Sequence, residues 1–499
     1  MTQDLVSVLE EVDAFVQRRH GLFIDGRSVP GLAGRYYDVF NPATGLALSQ
    51  VADGDAGDVD LAVASAHRAF VSGVWSGLRP ADRERILLRL VSIIEQHAEA
   101  LAQIETLNQG KSIHLSRAIE VGASIEYARY MAGWSTKLTG ETLDVSIPVP
   151  PGSRYTAYTR REPIGVVAAI VPWNFPLMIA VWKLIPALAA GCTVVLKPAP
   201  ETPLTALRLA ELALEAGVPP GVFNIVAGAD AAVGQALVAS SLVRKISFTG
   251  STSVGKHVGR AAIENMTRIT LELGGKNPMI VLDDADVDKA IGGVMMGAFL
   301  NQGQVCAAAS RLYVQRKRFD AVVEGVSAAM RELTLGPGMD QAAQVTPLVS
   351  KRHRQSVSRY ITSGQHDGAK LVCGGAMPES PGYFIEPALF VAQSSESTLI
   401  RDEIFGPVVV VVPFDDVDTA VRLANDTPYG LAASLWTNDL SMAMNLVPRI
   451  EAGTVWINSH VPVDPNLPFG GYKQSGIGRE FGRYAVEGFT ELKSVCIAH

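Results

Sequence analysis

Three polar residues stand out by their surroundings. Cys306 sits in NQGQVCAAASR, where Gly303, Ala307, Ala308 and Ala309 leave little bulk to block approach to its sulfur. A thiol so placed can act as a nucleophile, although small neighbours equally suit tight helix packing. Glu272 closes an apolar run and precedes two glycines in TLELGGKNP. Burial there would raise its carboxyl toward general-base chemistry, and the plain alternative is a strand-end glutamate paired with a cation. Asn174 is held between two prolines in VPWNFP, a rigid station for an amide that must point one way, as an oxyanion donor does. Taken together, a nucleophile, a base and a donor are the parts of covalent carbonyl chemistry.

A fourth feature suggests a phosphate cradle. FTGSTSVGKH at 248–257 follows a predicted strand and opens a predicted helix, so backbone N–H groups near Gly250 and Gly255 can face an anion. Its GxxxxGK spacing resembles a nucleotide-hydrolysing loop, but His257 stands where a magnesium-binding hydroxyl is needed. A simple strand-to-helix turn is the competing reading. SGIGREFG at 475–482 resembles a dinucleotide fingerprint but lacks a preceding strand and the right final spacing.

The elements that must position these residues follow from periodicity. Helical patterns dominate from Asp55 to about Gly133, including 59–70 and 83–106. Thr142 to Arg161 then reads as an extended arm, with Pro148, Pro150 and Pro151 before alternating Tyr155, Ala157, Tyr158 and Thr159. Beyond it, apolar runs at 165–171, 193–196, 223–226 and 245–248 alternate with helices, which predicts a parallel sheet covered on both faces. A second alternating block runs from Met279 through Val408–Val412 to Asn458. Leu5, Val8, Leu9, Val12 and Phe15 fall at helical spacing and predict an amphipathic N-terminal helix rather than a leader.

Composition narrows the class further. In 499 residues, 43 Lys+Arg against 50 Asp+Glu give a charge of -7, with no basic field for nucleic acid. Four widely spaced cysteines (Cys192, Cys306, Cys373, Cys496) form neither a zinc cluster nor a disulfide framework, which points to a reducing, cytoplasmic setting and no metal. Leu177–Leu196 reaches the ~20 residues of a membrane span, but Lys183, Pro186 and Gly191 interrupt it, so a buried helix running into a buried strand is expected.

In combination, these segments resemble the aldehyde dehydrogenase superfamily from Phe40 to the end. The resemblance rests on PWNFP (172–176), KPA (197–199), FTGSTSVG (248–255), LELGGKNP (271–278), GQVCAAASR (303–311), EIFGPV (403–408) and PFGGYKQSGIGRE (468–480), in that order. It implies an α/β fold with a Rossmann-type cofactor domain (1–140 and 161–273), a second parallel α/β catalytic domain (274–478), and a small β oligomerisation arm (141–160 and 479–499). It also implies an NAD-dependent, non-acylating oxidation. Cys306 would attack the aldehyde, Asn174 and the Cys306 N–H would hold the oxyanion, and Glu272 would activate the hydrolytic water.

Carried over position by position, Gly250, Ser251 and Gly255 would approach the pyrophosphate, Lys197 the adenosine ribose and Glu403 the nicotinamide ribose, with Phe405 against it. Ile170, Trp173, Gly234 and Phe248 complete the cofactor set. One departure bears on cofactor choice: many NAD-using relatives have glutamate three residues after this lysine, whereas here Pro200 stands there and Glu201 one place later. NAD is still favoured, with NADP as the alternative, because a nearby carboxylate repels a 2'-phosphate. By family position Phe175, Ile179, Trp182, Val305, Ala307, Val463 and Phe469 would line an apolar aldehyde tunnel. The tail HVPVDPNLPFGGYKQSGIGREFG is similar to the phenylacetaldehyde dehydrogenase branch, so an arylacetaldehyde is expected. A medium-chain aliphatic aldehyde is the runner-up, and a silent structural oligomer is the reading from another class. The arm implies a homodimer or a tetramer of two dimers.

Overall fold

The computed structural model describes residues 4–392 and 395–499. Residues 1–3 and 393–394, which fall inside two of the domain ranges above, lie outside the described residues.

Valine-rich runs bounded by glycine and proline form an eight-stranded sheet in the order Gly476–Ile477, Arg268–Glu272, Val243–Thr249, Val166–Ile170, Thr193–Lys197, Phe223–Ile225, Leu22–Ile24, Arg27–Val29. Its five central strands are parallel, as the strand–helix alternation requires, since a parallel neighbour can be reached only by a crossover. Register aligns their carboxyl ends: Ile170 pairs with Phe248 and Lys197, and Thr249 with Glu272. That edge is where open α/β sheets bind ligands.

The segment with membrane-like hydropathy is the buried helix Pro176–Ala190, followed by the buried strand Thr193–Lys197. Proline occupies the first turn and Gly191 ends it at φ 98°. Lys183 is tolerated inside this apolar helix because its Nζ donates to Glu480 Oε1 at 2.5 Å and to Ser247 Oγ at 3.1 Å. Among the described residues no helix is long and apolar enough to cross a membrane.

A second, seven-stranded sheet runs Lys370–Gly374, Ala388–Val391, Val408–Phe414, Arg311–Gln315, Pro278–Val281, Ala432–Trp436, Thr454–Ile457, and only its Lys370–Gly374 edge is antiparallel. The arm strand Tyr155–Pro163 pairs antiparallel with the C-terminal strand Thr490–Ala498, and on its other side with Thr142–Leu143.

The N-terminus departs from the expected helix. Only Glu10–Gln17 is helical, with Val12, Phe15 and Val16 buried, while Leu5, Val8 and Leu9 are exposed. The chain before it is extended because Val6 N donates to Met339 O and Gln341 N to Asp4 O. Backbone pairing with a distant loop outweighs the local apolar period.

Candidate active site

Cys306 is brought to the site by an unusual approach. After the helix Val287–Phe299, Asn301 (φ 48°), Gln302 (φ 58°) and Gly303 (φ 68°) all take left-handed backbone. A Cβ on Gly303 would lie 2.2 Å from Gly406 O, so glycine is required there. The loop is then tied down carbonyl by carbonyl. Asn277 Nδ2 donates to Cys306 O (2.8 Å) and Ala308 O (2.9 Å), and His460 Nε2 bonds Ala307 O (2.8 Å). His460 Nδ1 in turn meets Ser434 Oγ at 2.8 Å, and burial holds its imidazole down to about 4, neutral at working pH.

The Cys306 thiol faces a cavity of about 320 Å³ shared with Asn174, Glu272, Trp173, Glu403 and Phe405. Burial, then the carboxylates of Glu272 and Glu403, push the thiol up to about 12, while the N–H groups of Ala307 and Cys306 pull the other way. Glu272 ends its strand 5% exposed, with neither carboxylate oxygen bonded among the described residues. Burial and the nearby Glu480 carboxylate raise it well above the ordinary range, against the opposing charges of Lys183 and Arg479. A carboxylate held in this way is a strong base once ionised. Gly470 gives it room, since a Cβ there would come within 2.9 Å of Glu272 Oε1.

Asn174 is 3% exposed. Its Nδ2 gives one N–H to Gln304 O at 2.9 Å, and its Oδ1 is buried without a partner among the described residues. Its own carbonyl accepts from Lys111 Nζ and Asn301 Nδ2, both at 2.9 Å.

On the cofactor side, Thr249, Gly250 and Ser251 line the same cavity where the helix Thr252–Glu264 begins, and Ser251 Oγ caps Val254 N at 3.4 Å. Glu403 Oε1 accepts from Gly275 N at 3.1 Å, and burial pushes its carboxyl up to about 7. Gly274 permits that approach, because a Cβ would meet Glu403 Oε2 at 2.0 Å. Phe405, at φ 57°, sets its ring 5.3 Å from Trp173, and its carbonyl bonds His353 Nε2 at 2.8 Å. Lys197 is buried beside Gly234, whose Cβ would stand 3.7 Å from Lys197 Cδ. Burial lowers the Lys197 ammonium, and the charges of Glu201 and Asp230 restore part of it.

The cavity thus gathers Trp173, Asn174, Ile179, Gly250, Ser251, Glu272, Cys306, Glu403 and Phe405. Ile170 and Lys197 lie on the same strand-end edge. Phe248 packs beneath Gly250, where a Cβ would meet its ring at 2.6 Å. Gly255 lies against Leu273, 2.4 Å from where its own Cβ would be, and lines a separate outer groove. Trp182 and Phe469 gather around Phe481, with centroids 4.6 and 6.1 Å away, and Tyr127 joins at 4.9 Å. Phe175 and Ala307 are buried, Val463 is 41% exposed, and Val305 borders a small void behind Glu403. His353, Tyr360, Tyr127, Phe481 and Glu480 escaped sequence reasoning as site residues. Glu480 lay within a matched motif and Phe481 within the quoted tail.

The aldehyde dehydrogenase family profile matches residues 30–495, almost the whole chain. The chain belongs to the aldehyde dehydrogenase family. This aldehyde dehydrogenase is 49% identical to phenylacetaldehyde dehydrogenase of Pseudomonas fluorescens over 503 aligned positions, covering 100% of both chains. Its fold matches an NAD+ complex of an aldehyde dehydrogenase from Bacillus cereus with a TM-score of 0.96, at 42% identity over 99% of each chain. It also matches an indole-3-acetaldehyde dehydrogenase solved with NAD+ (TM-score 0.94, 41% identity, 98% of this chain and 99% of that one).

Proposed function

We propose that this aldehyde dehydrogenase oxidises an arylacetaldehyde such as phenylacetaldehyde to the carboxylic acid, using NAD and a covalent intermediate on Cys306. The observation that carries the reading is the cavity itself, in which a thiol, a buried carboxyl with no hydrogen-bond partner among the described residues and a braced amide converge from separate elements. The buried Thr249 Oγ1, without a hydrogen-bond partner among the described residues, and the Gly250–Ser251 turn beside the cavity fit a nucleotide cofactor. Gly250 and Ser251 would hold its pyrophosphate, Lys197 and Glu201 its adenosine ribose, and Glu403 its second ribose, with Phe405 alongside. Ile170, Trp173, Gly234, Phe248 and Gly255 frame that cleft. Burial raises the Glu201 carboxyl and the Lys197 charge opposes that rise; a carboxylate there would disfavour a 2'-phosphate and so favour NAD. When bound, NAD supplies the hydride acceptor.

The chain's own residues do the rest. The Cys306 thiol loses its proton to solvent, the sulfur forms a bond to the aldehyde carbon, and the carbonyl electrons move to oxygen. Asn174 Nδ2 and the Cys306 N–H stabilise that oxyanion. After the hydride leaves, a thioester remains on Cys306. Glu272 accepts a proton from water as its oxygen attacks, and passes that proton to the sulfur as the C–S bond breaks to release acid and thiol. The aromatic group of Tyr127, Trp182, Phe469 and Phe481 favours a flat apolar substrate arm, and Phe175, Ile179, Val305, Ala307 and Val463 would complete the tunnel.

We assign 1–140 with 161–273 to the cofactor domain, 274–478 to the catalytic domain, and 141–160 with 479–499 to an oligomerisation arm. Leu143, Val145, Ile147, Val149, Leu492 and Ile497 expose apolar surface along that arm, which supports a homodimer or tetramer. Four free cysteines support a cytoplasmic setting.

The test is mass spectrometry after brief turnover of phenylacetaldehyde with NAD. A phenylacetyl adduct on Cys306 that persists in Glu272→Gln is expected, and an adduct on Cys192 or none at all overturns the mechanism. Comparable kcat/KM for betaine aldehyde and phenylacetaldehyde overturns the substrate class.

A further inference from the structure

Behind Asn174 lies a cluster that the proposed chemistry does not use. The helix Ala98–Gln109 carries Glu105 and ends at Gly110, whose left-handed φ of 99° turns the next residue, Lys111, inward. Seven residues, Ser116–Gly122, then form a π-helical stretch that contains Glu120, and such stretches frequently mark functional positions. Lys111, Glu105 and Glu120 are at most 1% exposed. Lys111 Nζ is ion-paired to Glu120 Oε2 and lies 3.2 Å from Glu105 Oε1, and Thr205 Oγ1 donates to Glu105 Oε2 at 2.9 Å.

Among the described residues, the remaining side-chain bonds of this cluster go to one corner of the chain. Lys111 Nζ donates to Asn174 O at 2.9 Å and lies 4.6 Å from the Phe175 ring centroid. Glu120 Oε1 accepts from Met178 N at 2.8 Å. The helix Pro176–Ala190 has no side-chain cap from its own N-cap residue, Phe175, so Glu120 serves an N–H that the helix cannot satisfy. One ion pair therefore grips residues 174, 175 and 178 at once, and Asn174 lines the same cavity as the Cys306 thiol.

We infer that Lys111, held by Glu120 and Glu105, is a positioning residue that fixes the backbone of Asn174 and thereby aims its amide at the oxyanion on the carbon bound to Cys306. This rests on the function proposed above. A buried charge cluster kept only for stability would have no need to spend its ammonium on that carbonyl.

The test uses the full chain with phenylacetaldehyde and NAD. Removing the ammonium alone strands two buried carboxylates, so Lys111→Met is combined with Glu120→Gln. This double variant is expected to lower kcat about 10- to 100-fold with KM within about threefold, because the donor is misplaced rather than removed. Alkylation of Cys306 by iodoacetamide needs no oxyanion donor and is expected to stay within about twofold. In an Asn174→Ala background the same substitutions should lower kcat by less than about twofold, since the group they aim is gone.

Equal losses in both backgrounds, or a matching loss of alkylation, overturn the inference. If the double variant does not fold, Glu120→Gln alone keeps an acceptor for Met178 N and carries the same cycle, with an expected loss of about three- to tenfold; additivity there overturns it as well. A wild-type chain that oxidises no aldehyde overturns the proposed function instead, so the two failures are distinguishable.

Discussion

Cys306 and Cys192 are both thiols pushed up by burial, to about 12 and about 11, yet their surroundings are opposite in kind. Cys192 sits between the helix Pro176–Ala190 and the strand Thr193–Lys197, fully buried, with its Sγ bonded to Phe489 O at 3.2 Å. Cys306 opens on a cavity beside a carboxyl and an amide. Acidity therefore does not distinguish a nucleophile from a packed thiol. Reach does: a cavity for the electrophile, a base for the proton and a donor for the charge that develops.

The largest expected effect breaks or confirms this contrast directly. Cys306→Ser should lower kcat/KM for phenylacetaldehyde by at least about 10⁴-fold, whereas Cys192→Ser should stay within about threefold; equal losses would end the comparison. Next, Asn174→Ala should cost about 10²- to 10³-fold in kcat, the range for one oxyanion donor, read from steady-state NADH formation. The pH dependence sharpens the contrast further. Because the thiolate is the nucleophile and burial has raised the Cys306 thiol, its alkylation rate should climb about tenfold per pH unit from 7 to 10 without a plateau, while Cys192 stays unlabelled in the folded chain. A plateau near the ~8.5 of a free thiol would show that the neighbouring carboxylates do not hold it up. Smallest of all, Cys192→Ala should leave turnover unchanged and lower unfolding stability by about 1–2 kcal/mol through a lost buried contact and bond, read from denaturant midpoints.

The same contrast explains what the sequence made legible. Cys306, Glu272, Asn174 and the turn at Gly250 could be read because each lies in a short segment whose glycines and prolines announce a special backbone. The central strands were legible because fully buried parallel strands have continuous apolar runs. Lys111, Glu120, His353 and Tyr360 were not, because nothing local marks them: their meaning comes from partners far along the chain, such as Asn174 O lying 63 residues after Lys111. Glu480 stood inside a matched motif yet carried no role until Lys183 was found across from it. The N-terminal helix was overdrawn for the same reason, since the distant loop around Met339 and Asp340 sets the conformation of residues 4–6.

The Lys183–Glu480 ion pair has a consequence for how the chain matures. The two residues are 297 positions apart, so on the ribosome the ammonium waits for its counter-charge until almost the entire polypeptide has emerged. Until then, packing away the apolar helix Pro176–Ala190 buries a cation that lacks its ion-pair partner, leaving Ser247 and the Glu272 charge to answer it, at a cost of several kcal/mol. The pair thus favours late docking of that helix. A chain broken off before Glu480 would keep this helix exposed, as a mark by which quality control can recognise it.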